Sequence, residues 1–152
     1  MKNLIIYFRR FFTFILFVSF IVMISSVILQ VYFRYIKGSA LSWTLEISSL
    51  SFMWFTFSGS ALISLKKSHI EVDYFFNKLT NKKQYIIEKS IDTLIIFLGI
   101  IVLYSAYKAI VAAQGVRSVV LRIPMIYFYL SIFFGFIGII IFNIIHLLHK
   151  KY

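Results

Sequence analysis

The chain has 152 residues, of which 61% are hydrophobic and 14% charged, with a net charge of +11 and a mean hydropathy of +0.93. A soluble domain is about 45–50% apolar and about 25% charged, and one this small has too little interior to hide the excess, so lipid is the expected solvent and a soluble enzyme is excluded. The positive charge does not indicate nucleic acid, because the basic residues sit at the ends of apolar runs, where anionic headgroups are the simpler partner.

The first predicted element is an apolar run over residues 11–33, preceded by Leu4, Ile5, Phe8, Phe11 and Phe12 at helical spacing, with Lys2 and Arg9 on another face. It exceeds the ~7–15 residues of a signal-peptide core and lacks a small-x-small cleavage site, so it is expected to be retained. The second run covers 47–65. An amphipathic segment over 69–92 follows, in which Val72, Phe75, Phe76 and Leu79 form an apolar stripe opposite Asp73, Asn77 and Lys78. Such a stripe is expected to lie flat in the headgroup plane. Its pattern resumes at Tyr85 and Ile86 and continues into the third run, 93–113, so that helix should be longer than the bilayer needs and should tilt or bend. The fourth run, 125–148, opens after Pro124, the only proline. Each run is near the ~20 residues that carry a helix across ~30 Å of hydrocarbon, and none alternates as a barrel strand would. The predicted fold is therefore an all-α integral membrane protein with four transmembrane helices in one domain, 1–152.

Lysine and arginine divide unevenly about these spans. With the N-terminus in the cytoplasm, Lys2, Arg9, Arg10, Lys66, Lys67, Lys78, Lys82, Lys83, Lys89, Lys150 and Lys151 fall inside. Only Arg34, Lys37, Arg117 and Arg122 fall outside, and Lys108 lies within the third span. This bias predicts an inner-membrane protein with both termini cytoplasmic.

Small residues recur at helix-packing spacing: Thr56, Ser60 and Ser64 in the second run; Gly99, Ala106 and Ala113 in the third; Ser131, Gly135 and Gly138 in the fourth. Lipid supplies no hydrophobic drive for helix association, so close approach at such residues is expected to hold helices together, within the chain or with a partner. Glu46 stands one turn after Trp43 at the outer boundary of the second run. It is expected to pair with Arg34 or Lys37 rather than to carry protons, because a coupling carboxylate belongs deeper in the span. His69, Glu71 and Asp73 hold ligand-type side chains, but their spacing cannot put all three on one helical face, and Asp73 is equally suited to capping a helix. His146 and His149 read as headgroup-facing residues. With no cysteine, nucleotide loop, nucleophile motif or pair of carboxylates within a predicted span, neither catalysis nor a cofactor is expected.

Taken together, Trp43-Thr44-Leu45-Glu46, Trp54, Gly59-Ser60-Ala61 and Lys66-Lys67-Ser68-His69-Ile70-Glu71-Val72-Asp73 resemble the small, Q-type (DctQ-like) membrane subunit of tripartite ATP-independent periplasmic (TRAP) transporters. Arg34 after the first run and Leu121-Arg122-Ile123-Pro124 before the last fit the same pattern. Thr80 and Phe134 stand where family members often carry proline. The resemblance implies a subunit that braces a large membrane subunit for sodium-driven uptake of an organic acid, such as sialic acid or a C4-dicarboxylate. A periplasmic binding protein would deliver the substrate, and Arg34, Lys37, Arg117 and Arg122 are the candidate docking cations. Two rival readings remain: a self-sufficient homodimeric exporter using Glu46, and a lipid-acting enzyme using His69 and Asp73.

Overall fold

The computed structural model describes residues 2–39, 41–65 and 81–148. Within them lie four helices: α1 (Lys2–Ile36), α2 (Ser42–Leu65), α3 (Asn81–Ala112) and α4 (Ile126–Leu148). Their interiors contain no proline, and a helix satisfies every internal N–H and C=O within its own segment, as a span without water requires. All four are long and apolar enough to cross a membrane, so the chain is an all-α, multi-pass membrane protein.

The helices stop where local chemistry stops them. After α1 the backbone turns through Gly38, whose φ of 64° suits a residue without Cβ, and Ser39 N–H returns to the Phe33 carbonyl at 3.2 Å. α3 unwinds through Gly115 (φ 84°), across which Val116 N–H donates to the Ala113 carbonyl at 3.1 Å. Pro124 precedes α4, and Tyr127 N–H donates to its carbonyl in a tightened first turn. α2 begins at Ser42, ahead of the expected 47, so Trp43 and Glu46 lie in its first turns. α3 begins at Asn81, so residues 81–92 of the segment expected to be interfacial are continuous with the span itself. At ~1.5 Å per residue its 32 residues reach about 48 Å, well beyond the hydrocarbon thickness. The stripe residues Val72, Phe75, Phe76 and Leu79, together with His69 and Asp73, lie outside the described residues.

The helices alternate in direction and pack in the spatial order α1, α2, α4, α3. The array has two inner helices, α2 and α4, and two edge helices. One end of the bundle holds the start of α1, the end of α2, the start of α3 and the end of α4; it is called the terminal end below. The other, the loop end, carries the connections between α1 and α2 and between α3 and α4. The core is small and lies toward the terminal end, where Phe12, Ala61, Ile139 and Phe142 meet. Phe12 and Phe142 pack edge to face at 6.3 Å, linking α1 to α4 across the end of α2. Outside this cluster the surface is apolar: Phe14 and Phe17 are 69% and 62% exposed, an arrangement stable only in lipid or against another protein.

Close backbone approach fixes the inner seams. A Cβ on Gly135 would stand 2.5 Å from Phe57 Cβ and 3.0 Å from its carbonyl oxygen, so α4 lies on the backbone of α2 there. A Cβ on Gly138 would stand 2.7 Å from the Phe12 ring and 2.9 Å from Ala61 Cβ. On the other side of α4, one on Gly99 would meet Ile140 Cγ1 at 2.9 Å. At the terminal end Lys89 Nζ donates to the Leu147 carbonyl at 3.0 Å, satisfying one of the orphan carbonyls that close α4.

Candidate functional site

At the loop end, α3 and α4 are joined by a short hairpin. Ser118 N–H donates to the Ile123 carbonyl at 2.9 Å, Met125 N–H to the Val116 carbonyl at 3.0 Å, and Arg117 bridges antiparallel to Pro124. Arg122 holds a left-handed φ of 52°, which is uncommon for a residue with a side chain. The tip is apolar, with Val119 92% exposed and Val120 and Leu121 also open.

Glu46 closes this hairpin onto α2. Its Oε2 accepts the Ser118 hydroxyl at 2.7 Å and Leu121 N–H at 2.8 Å, while Oε1 accepts Val120 N–H at 2.8 Å. Ser118 Oγ in turn accepts Ile123 N–H at 2.9 Å, so one hydroxyl joins the carboxylate to the far arm of the hairpin. An ionised carboxylate is acceptor-only, and here both oxygens meet converging donors, two of them backbone amides of the tip. The expected partner was a cation, Arg34 or Lys37; the structure gives the carboxylate the opposite loop instead. The hairpin tip has amides that neither a helix nor a ladder satisfies, and these outcompete long, exposed cationic side chains.

The remaining expected residues fall into two groups. Arg34, Lys37, Arg117 and Arg122 are all exposed at the loop end, with the Arg34 guanidinium 5.9 Å from the Tyr35 ring. Lys108, near the loop end of α3, lies 4.7 Å from the ring of Tyr104. The small residues face inward unevenly. Gly99, Ala106 and Ala113 are buried, as are Ser131, Gly135 and Gly138. Of the α2 row, Ser64 is buried, Ser60 half-buried and Thr56 exposed. The inward polar row of α2 is instead Thr44, Ser51 and Ser58, one every seven residues, alongside Ala61. Trp54 and Phe134 rings lie 6.2 Å apart, joining α2 to α4, and Gly59 faces Leu16 of α1. Trp43 is half-buried.

Sequence reasoning did not find Ser118; Asn143, one of the polar residues near the span ends, is buried, and its Nδ2 donates to the Ile139 carbonyl at 2.8 Å. Ser118 carries no local signal, since its partner is 72 residues away. The seven-residue hydroxyl row was visible as a spacing, but the four-residue row beside it has the same composition. Among the described residues no three His, Asp or Glu side chains gather as metal ligands.

Fold and contacts thus define a four-span membrane protein with seams of small residues and one loop tied down by a carboxylate. The chain matches the family described as tripartite ATP-independent periplasmic transporters, DctQ component, over residues 23–150. It belongs to that family and is a small component of a TRAP transporter. A comparison with the curated proteins finds no match to the chain.

Proposed function

We propose that this chain is the bracing subunit of a bacterial inner-membrane TRAP transporter. It supports a large transport subunit for sodium-driven uptake of an organic acid delivered by a periplasmic binding protein, and it performs no catalysis of its own. The loop end faces the periplasm and both termini face the cytoplasm, as the lysine and arginine bias favours. The observation that carries the reading is the form of the array. Two inner helices hold each other by backbone approach at Gly135 and Gly138, and the edge helices α1 and α3 leave long apolar faces for a neighbour. Moving sodium and a carboxylate through lipid calls for polar groups or broken helices deep in the span, and the described helices are unbroken.

The exporter alternative loses its working group. Glu46 sits at the end of the bundle with both oxygens engaged by the hairpin, which suits a structural tie better than a proton carrier. Arg34, Lys37, Arg117 and Arg122 form the cationic rim that would steer an acidic binding protein, an effect that salt screens.

Reconstitution tests the reading. Liposomes holding this chain with its large subunit and binding protein should take up substrate on a sodium gradient, and liposomes holding the chain alone should not. Charge reversal at Arg34 or Arg117 should lower uptake most at low binding-protein concentration, leaving that protein's substrate affinity unchanged. Sodium-driven uptake by this chain alone would overturn the bracing role.

A further inference from the structure

A groove of about 790 Å³ runs along the bundle surface between α1 and α2. Arg9 and Leu65 lie at its terminal end, and Leu16 and Phe55 at its other end, with Thr56 and Ile63 along the α2 wall. Gly59 adds no side chain to it, and a Cβ there would make ordinary contact with Leu16 at 3.4 Å. From Phe55 to Leu65 is ten helical rises, or about 15 Å, which is one leaflet of a ~30 Å hydrocarbon core.

The polarity of the groove is unequal along its length. Thr13 Oγ1 donates to the Arg9 carbonyl at 2.7 Å, and Ser60 Oγ donates to the Thr56 carbonyl at 2.9 Å. Both hydroxyl protons are therefore turned back into their own helices and are not held out to an incoming helix. What faces the groove along most of its length is hydrocarbon, and among the described residues the charge at its mouth is the exposed Arg9. A guanidinium at the end of an apolar slot one leaflet long fits a molecule with an anionic head and an acyl tail.

We propose that this groove holds one anionic phospholipid of the leaflet at the terminal end. The Arg9 guanidinium takes the phosphate, and an acyl chain lies along Leu16, Phe55 and Ile63. The site needs only that the helices span a membrane; the orientation proposed above makes the leaflet the cytoplasmic one. A lipid seated there fills the gap between an edge helix and an inner helix and stiffens α1 against α2.

Native mass spectrometry of the full chain, purified with any subunit that stays bound, reads the site directly. Offered phosphatidylglycerol and phosphatidylcholine in equal amounts, the wild-type protein should retain the anionic lipid roughly fivefold more often, the factor one basic residue near a charged bilayer contributes. Arg9→Gln should remove the preference, whereas Arg10→Gln, next to the groove but not lining it, should keep it. Thr56→Phe, at an exposed position, should fill the slot and lower retention of both lipids. Equal retention of the two lipids by the wild type would overturn the site, as would equal losses in the Arg9 and Arg10 variants. Photocrosslinks from Ile63 to a large-subunit helix, with no lipid retained, would assign the groove to that subunit instead. Uptake by the same variants in liposomes with the large subunit and binding protein separates failure of this site from failure of the bracing role.

Discussion

At the scale of single residues, Glu46 and Ser118 decide how the loop end is built. Glu46→Gln keeps the shape of the side chain but replaces an acceptor oxygen by a donor, which then faces a donor of the hairpin. Limited proteolysis of the variant should cut within residues 119–122 faster than in the wild type, and its Tm should fall. If cleavage is unchanged, the carboxylate does not hold the hairpin. Arg122 supplies a second check. Its left-handed φ of 52° favours glycine and penalises a β-branched side chain. Arg122→Gly should preserve or raise stability while Arg122→Val lowers it by about 1–3 kcal/mol, as thermal unfolding in detergent would record. The tie was not legible in the sequence, where Glu46 could only be matched to cations nearby. A contact across 72 residues has no periodic signature, and backbone amides look alike at every position.

Helices were far more legible. Unbroken runs of Ile, Leu and Phe can be nothing but spans at this length, and the glycines and the proline mark the turns between them. Which face of α2 turns inward was harder, because hydroxyls at four-residue and seven-residue spacing coexist, and only packing between its two neighbours buries Thr44, Ser51 and Ser58. The glycine seams rank themselves by what a methyl group would strike. Gly135→Ala would press on the backbone of Phe57, which cannot rotate away, and should cost about 1–3 kcal/mol, the usual range for overpacking. Gly99→Ala meets side-chain atoms, chiefly those of Ile140, rather than backbone, and should cost less. Thermal melts in one detergent should show a clearly larger drop for Gly135→Ala; the reverse order would mean that α2 and α4 do not approach as described.

At the scale of the whole molecule, an array with a small core is stable only because lipid or another protein covers its faces. The proposed topology places reporter fusions at Gly38 and Gly115 in the periplasm and one at Asn81 in the cytoplasm. A periplasmic signal at Asn81 would invert every assignment of side, including the leaflet of the phospholipid groove. The same array explains why the spans could be read from sequence and their spatial order could not. All four runs are apolar enough to span, so hydropathy places them in the membrane without saying which lies next to which. The order comes from a few steric facts, chiefly Phe57 against Gly135 and Phe12 with Ala61 against Gly138.

The tie between Glu46 and the hairpin also has a meaning in time. The ribosome makes the carboxylate 72 residues before the hydroxyl it will accept from, and α3 must enter the bilayer in between. Until Ser118 and the hairpin tip arrive, Glu46 can only remain hydrated at the headgroups, holding the start of α2 at the surface. Closure of the hairpin must therefore follow the synthesis of α3, and it joins the first half of the chain to the second. A nascent protein that stalls before the hairpin is made lacks every partner this carboxylate has in the finished fold.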